Sequence, residues 1–272
     1  VTVNGSQIEI DGGYEGSKCL AIVEAKNKIS EDFNTRQLYY PFRRFEKTMR
    51  SKRVRNIYQV FSDGIFNLYE YEFSDVEDFT TIRLVKSQRY SLDSEIITLE
   101  ELEVLAHNPP LAPPGAGFPT FPQADKFTRL VNLCEFITAQ GSVSKQDIYI
   151  ENDFDPRQAS YYTAAGCYLG LLEVKDSEVT LTPCGRQVMG LKSSKERKLA
   201  FAGLIFVDDI FRQLFLDYLK LQTLPSESRA LTLMMNANLI SARGEPLGDN
   251  TLRRRTKTAL GWIRWVINLI GN

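Results

Sequence analysis

Hydrophobic and polar residues alternate along much of the first hundred positions, which is the pattern of strands whose two faces meet different surroundings. We predict strands over QIEID, CLAIVEAK, NIYQVFS, IFNLYEYEF and TIRLVKS, and a helix over residues 30–49. Strands that alternate with helical sequence predict an α/β or α+β domain.

The second half of the chain has a helical period instead. Apolar residues recur every three to four positions over 125–139, 145–151 and 156–172, and EVKDSEVTLT then has the pattern of a β-hairpin. Three helices closed by a hairpin predict a winged helix, in a region that is mainly α. Helical patterns return from Ser194 onward and predict a second unit, either winged-helix-like or purely helical.

A proline-rich segment separates the two halves. Six of the eleven prolines lie in NPPLAPPGAGFPTFP, which cannot continue a helix or a central strand. We therefore predict domains over 1–106, 125–192 and 193–272, with a linker over 107–124. The chain begins at Val1 and enters a strand almost at once, so we expect that natural sequence precedes it.

Composition restricts the chemistry. Hydrophobic residues make up 43% and charged residues 25% of the chain, which is ordinary for a globular protein. The apolar runs are shorter than the roughly 18 residues that cross a bilayer, and no signal peptide is visible, so we expect a soluble cytoplasmic protein. The four cysteines lack zinc-site spacing and are expected to be buried free thiols. His107 is the only histidine, so catalysis would have to use carboxylates and lysine.

The most informative segment is QIEIDGGYEGSKCLAIVEAKNK, residues 7–28, which we predict as a hairpin that turns at 15–18. Paired positions then sum to 33, Asp11 lies opposite Ile22, and one strand face carries Asp11, Glu24 and Lys26. The other face is small or apolar and is predicted to be the core side; its residues are Cys19, Ala21, Val23 and Ala25.

Two carboxylates and a lysine on one face suit phosphodiester hydrolysis. Carboxylates that hold Mg²⁺ bring positive charge to an anionic phosphate and lower the pKa of a bound water. A lysine can orient that water or stabilise the developing charge. The alternative is a strand end with solvated charges, since Glu-x-Lys alternation is common on exposed faces. The matching position of Asp11 favours the metal site.

Asp11 followed, after a spacer, by Glu24-Ala25-Lys26 resembles the signature of the PD-(D/E)xK nuclease superfamily. QIEIDGGYEG, IVEAKN, DFNTRQLYYPFRRF and LYEYEF resemble a subset of type II restriction endonucleases, over roughly residues 6–90. The resemblance implies a restriction-endonuclease-like fold, Mg²⁺ ligation by Asp11 and Glu24, and a catalytic Lys26. Ile10 stands where the superfamily name has proline, and the acidic residue that many members carry on an upstream helix is lacking or lost.

Gln37 follows on the predicted helix, where related nucleases carry Gln-x-x-x-Tyr. Here Pro41 stands four residues beyond Gln37 and Tyr40 three, so Gln37 is either part of the catalytic site or a polar residue on a helix kinked by proline. A basic run comes next: Arg43, Arg44, Lys47, Arg50, Lys52, Arg53 and Arg55. We predict DNA-backbone contacts for Arg43, Arg44 and Arg53, the alternative being a solvated face.

Two further segments predict DNA contacts. The third helix of the predicted winged helix begins DPRQASYY, and its first turn would present Arg157, Gln158 and Ser160 to base edges. A surface for protein partners is the alternative. The last helix, NTLRRRTKTALGWIRWVINL, is predicted to bind DNA through Arg253, Arg254 and Lys257, or else to end in solvated charges, with Trp262 and Trp265 as core anchors.

The resemblance implies a type II restriction endonuclease, which hydrolyses double-stranded DNA site-specifically with Mg²⁺ and leaves 5′-phosphate ends. Cutting both strands of a symmetric site favours a homodimer, and host protection requires a partner DNA methyltransferase. Two alternatives stay open: a repair-type nuclease of the same fold, and a winged-helix regulator whose nuclease-like domain is structural.

Overall fold

The computed structural model describes residues 8–27, 33–49, 51–62, 64–91, 95–114, 116, 120–151, 156–241 and 243–271. The chain divides into two compact units, residues 1–92 and 93–272. The proline-rich segment, for which a linker over 107–124 was predicted, thus falls within the second unit.

The first unit is a five-stranded mixed sheet in the order β1-β2-β3-β4-β5. Strands β2 and β3 are parallel, and every other neighbouring pair is antiparallel. A helix, α1, connects the two parallel strands, as such a pair requires. The elements are β1 (Gly12–Glu15), β2 (Cys19–Lys26), α1 (Thr35–Thr48), β3 (Arg53–Ser62), β4 (Ile65–Phe73), a 3₁₀ turn (Phe79–Thr81) and β5 (Ile82–Ser91).

These elements confirm the predicted mixture of strands and helices, with one local correction. The strand predicted over QIEID is wrong for its described residues 8–11, because the first strand begins only at Gly12. Residue 7 and the predicted helix start at 30–32 lie outside the described residues. Helix α1 begins after Asn34, whose side chain accepts a hydrogen bond from the Arg36 N–H at 3.1 Å.

One face of the sheet packs against α1. The helix buries Leu38, Tyr39 and Phe42 on the sheet residues Leu20, Ile22, Val54, Tyr58 and Val60. The predicted core side of β2 is therefore wrong: the buried positions alternate with Cys19, Ala21, Val23 and Ala25, which are only half-buried. The physical reason is side-chain size, since Leu20 and Ile22 remove more apolar area from water than cysteine or alanine do.

The second unit is mainly helical. Its small antiparallel sheet has the order β6-β8-β7. The elements are α2 (Leu99–His107), α3 (Phe127–Gln140), β6 (Ser142–Ser144), α4 (Lys145–Glu151), α5 (Pro156–Tyr168), β7 (Leu172–Lys175), β8 (Glu178–Leu181), α6 (Pro183–Met189), α7 (Ser194–Phe206), α8 (Asp209–Leu221), α9 (Glu227–Asn236) and α10 (Asp249–Ile267). The helices and hairpin expected over 125–182 are present, and β6 extends the hairpin to three strands.

A single hydrophobic core runs through the second unit, from Ile97 to Leu269. Trp262 is fully buried, stacks on Phe211 with ring centroids 4.9 Å apart, and donates from Nε1 to the Ala124 carbonyl at 2.6 Å. Trp265 is also buried, so both tryptophans are core residues, as predicted. Because α10 packs against α3, the regions 125–192 and 193–272 share one core.

The four cysteines are free thiols. Cys134 is fully buried, and this burial raises its pKa to about 12. The other three are half-buried, so the expectation of buried thiols holds in full for Cys134 alone. Among the described helices, none is long and apolar enough to cross a membrane.

Candidate functional site

The hairpin of β1 and β2 turns slightly later than the sequence suggested. Gly12 pairs with Val23 and Glu15 with Leu20, so paired positions sum to 35 rather than the predicted 33. The Gly16 N–H donates to the Cys19 carbonyl at 2.8 Å, and the Lys18 carbonyl accepts from Arg53 of β3 at 3.2 Å. A shift of two residues leaves the side-chain alternation unchanged.

Asp11 lies at the open end of this hairpin. Its N–H donates to the Val23 carbonyl at 3.1 Å, although Val23 is already the partner of Gly12 in the ladder. The chain thus leaves the regular pairing at Asp11, and the Asp11 carboxylate Oδ2 accepts from the Ala25 N–H at 2.7 Å. This bond fixes the Asp11 carboxylate beside Ala25, the residue between Glu24 and Lys26.

Glu24 is an acidic side chain on the buried face of β2. It is only 7% exposed, and its Oε1 accepts from Lys26 Nζ at 2.6 Å. Tyr58 is its neighbour on the parallel strand β3, and burial, followed by the charge of Glu24, raises the pKa of Tyr58 to about 12. A carboxylate with so little exposure is costly unless cations and hydrogen bonds compensate it, and Lys26 supplies part of that compensation.

These side chains line a cleft of about 930 Å³ in the first unit. One wall carries Asp11, Glu24 and Lys26, and α1 forms the other with Gln37, Tyr40, Pro41 and Arg44, which are spaced at i, i+3, i+4 and i+7 and share one helix face. The cleft therefore brings together the four predicted catalytic residues. Sequence reasoning missed Ile8, Glu9, Asn34 and Arg36, which also line it.

The donor set suits a hard divalent cation. Within the described part of the chain, Asp11 Oδ1 and Glu24 Oε2 have no hydrogen-bond partner, so each carboxylate keeps one oxygen for a ligand. Mg²⁺ commonly binds through one or two carboxylates and completes its shell with water and substrate phosphate. Among the described residues, no group of three or more His, Cys, Asp or Glu is placed to hold a metal.

The predicted basic run is largely paired with acids. Arg43 and Lys47 both bind Glu77, the latter at 2.5 Å, and Arg53 binds Glu72 at 3.0 Å. Lys52 binds Glu15, and Arg55 makes two bonds of 2.6 and 2.7 Å to Glu70.

Of the three basic residues predicted to contact the DNA backbone, Arg43 and Arg44 line the cleft, whereas Arg53 is not among its lining residues. Arg50 lies outside the described residues.

The candidates in the second unit lie on two helices. At the start of α5, Arg157 and Ser160 are exposed, and Gln158 is half-buried and accepts from Arg129 at 3.4 Å. On α10, the three basic side chains predicted to bind DNA are exposed, Arg253, Arg254 and Lys257; Arg264, nearer the end of the helix, is exposed as well. Arg255 instead turns inward, is 7% exposed, and donates to Thr120 Oγ1 at 2.8 Å and to the Phe121 carbonyl.

Comparison with known proteins finds two families, neither of which has a described function. Residues 1–91, nearly the whole first unit, match a domain of unknown function, DUF6997. Residues 129–271, more than half of the chain, match a second domain of unknown function, DUF7226. No curated protein and no solved structure matches the chain significantly. The chain therefore belongs to the DUF7226 family.

Proposed function

We propose that the protein is a Mg²⁺-dependent type II restriction endonuclease that hydrolyses double-stranded DNA. The observation that carries this proposal is the convergence of Asp11, Glu24 and Lys26 in one cleft, opposite a helix wall with Gln37 and several basic side chains. The pairing of two carboxylates with a lysine supports phosphodiester hydrolysis, and the basic wall supports an anionic polymer as the substrate.

The residues have distinct roles in this proposal. Asp11 and Glu24 would hold Mg²⁺ through the carboxylate oxygens that make no hydrogen bond within the described residues. When bound, Mg²⁺ supplies charge neutralisation and an acidified water. Lys26 donates a hydrogen bond to the attacking water or to the phosphate oxygen on which charge builds. Gln37 has a side-chain amide that can both donate and accept, and it positions the strand or the water.

The second unit supports sequence recognition. Helices α3, α4 and α5, with a three-stranded sheet in the order β6-β8-β7 whose strand β6 comes between α3 and α4 in the chain, fit a winged helix, in which the third helix enters the major groove. Here the third helix is α5, and Arg157 and Ser160 are exposed near its amino terminus. Arginine suits the acceptors of guanine, and Gln158 would suit adenine.

The remaining parts of the proposal follow from the reaction. Two active sites are needed to cut both strands of a symmetric site, so the protein acts as a homodimer. A partner DNA methyltransferase protects the host DNA, and the enzyme works in the cytoplasm, where invading DNA arrives.

The test is incubation with a large unmodified viral DNA, with Mg²⁺ and with EDTA, read on a gel. The proposal predicts discrete bands only with Mg²⁺, and their loss in Asp11→Asn, which keeps the shape of the side chain but removes its charge. Glu15→Gln is the control, since Glu15 is an exposed residue of the same hairpin outside the cleft. A Mg²⁺-dependent smear would indicate a repair-type nuclease, and uncut DNA that is still bound would indicate a regulator.

A further inference from the structure

The basic side chains of the cleft are not equivalent, because acidic neighbours hold some of them. Of the basic residues that the structure describes, five line the cleft: Lys26, Arg36, Arg43, Arg44 and Lys47. Lys26 is paired with Glu24, and a single acid, Glu77, is bound by both Arg43 and Lys47. Those three cations have a local counter-charge before any substrate arrives.

Glu77 is held in place by the loop that carries it. Its N–H donates to Asp75 Oδ1 at 2.8 Å, and the preceding carbonyl, that of Val76, accepts from the Tyr39 hydroxyl of α1 at 2.9 Å. Tyr39 is buried, so the loop is fastened to the same helix that carries Arg43 and Lys47. The hydrogen bond from Lys47 and the nearby charges lower the pKa of Glu77, which is therefore ionised at neutral pH.

Arg36 and Arg44 differ from these neighbours. Both are exposed, both line the cleft, and neither meets an acidic partner within the part of the chain that the structure describes. They are eight residues apart on α1, which places their Cα atoms about 12 Å apart along the axis and roughly 80° apart around it. Gln37 lies between them in sequence, on the same wall of the cleft.

We propose that Arg36 and Arg44 bind the substrate phosphates next to the one that is cut, and that Arg43 and Lys47 do not, because Glu77 holds them. This presupposes the proposed nuclease function and specifies how its cleft takes the substrate. A guanidinium without an acidic partner can donate two parallel N–H hydrogen bonds to one phosphate. Two such groups spaced along one wall suit neighbouring phosphates of a polynucleotide strand rather than the phosphate of a mononucleotide.

The experiment measures binding without cleavage. A fluorescent duplex DNA is titrated with the full chain in EDTA at several salt concentrations, and the slope of log affinity against log salt is compared among variants. This slope is negative, and each lost phosphate contact reduces its magnitude by about 0.9. Arg44→Ala and Arg36→Ala are each expected to reduce that magnitude by about that amount and to weaken binding roughly three- to tenfold. Arg43→Ala is the matched control, adjacent to Arg44 on the same helix.

Glu77→Gln provides a second, independent readout. It releases Arg43 and Lys47, so binding is expected to tighten and the slope to steepen by up to about 1.8. Equal effects of Arg43→Ala and Arg44→Ala, or an unchanged slope in Glu77→Gln, would overturn the division of the basic residues while leaving the nuclease function intact. Absence of duplex binding by the unsubstituted protein would overturn the nuclease function itself.

Discussion

Glu24→Gln separates the metal site from a structural ion pair. The substitution keeps the shape of a side chain that is only 7% exposed and removes its charge. Without metal, the stability of the variant should be within about 1 kcal/mol of that of the unsubstituted protein. The Lys26 side chain is 32% exposed, so water can solvate its ammonium group when the attraction to Glu24 is lost, and the variant no longer buries a carboxylate. With Mg²⁺, the two proteins should differ strongly.

The size of that difference follows from linkage. A ligand that binds only the folded state lowers the open population by the factor 1 + [Mg²⁺]/Kd, which is about 100 when Mg²⁺ is present at 100 times Kd. Loss of one of two carboxylate ligands should weaken binding by at least about 100-fold, judged from the 10- to 100-fold cost of changing groups that merely orient ligands. The protection that Mg²⁺ gives then falls to about twofold or less in Glu24→Gln.

Amide hydrogen exchange of peptides from β2, Cys19–Lys26, reads this protection directly in the first unit. Calorimetric titration supplies Kd for the unsubstituted protein. Glu15→Gln is the matched control, because Glu15 also pairs with a lysine, Lys52, but is exposed and lies outside the cleft. If Glu24→Gln kept the full Mg²⁺-dependent protection, Glu24 would not be a metal ligand.

Four further predictions concern the second unit. Alanine at three exposed basic positions in the first half of α10, Arg253, Arg254 and Lys257, should reduce the magnitude of the salt slope of duplex binding by about 2.7 without loss of stability. Arg255→Ala should instead lower the free energy of unfolding by about 2–5 kcal/mol, because the Phe121 carbonyl loses its buried donor. Urea unfolding followed by tryptophan fluorescence measures this change, and equal stability would show that Arg255 does not support the core. Cys134 should resist alkylation in the native protein up to about pH 10, since burial raises its pKa to about 12, and mass spectrometry would show a modified Cys134 if the core opened. Burial also raises the pKa of Asp208, so its contribution to stability is lost as pH rises from 3.8 through that pKa. The stability of Asp208→Asn relative to the unsubstituted protein should therefore increase over that range, and a constant difference across pH would contradict the shift.

Local pattern was enough to place the candidate catalytic groups. The predicted pairing of the hairpin was two residues early, yet Asp11, Glu24 and Lys26 still converge, because alternation along a strand repeats every two residues. The three side chains share one side of the strands because of their spacing in the sequence. A two-residue shift of the hairpin register does not change that.

Which face of β2 is buried was not predictable from the strand alone. The small residues Ala21 and Val23 looked like a core face, but α1 covers the side of Leu20, Ile22 and Glu24. The position of α1 depends on how the connection between two parallel strands packs on the sheet. The burial of Glu24 therefore depends on how α1 packs on the sheet, which the sequence of β2 alone does not reveal.

The amino-acid sequence by itself determined the order and type of most elements, the shared side of the carboxylates and lysine, and the burial of Trp262 and Trp265, because these depend on short-range periodicity. Only the tertiary structure decided which basic residues are already paired. Arg55 meets Glu70 across 15 positions, Arg43 meets Glu77 across 34, and Arg255 reaches Phe121 across 134. Partners so far apart in sequence leave no local pattern, since folding alone brings them together.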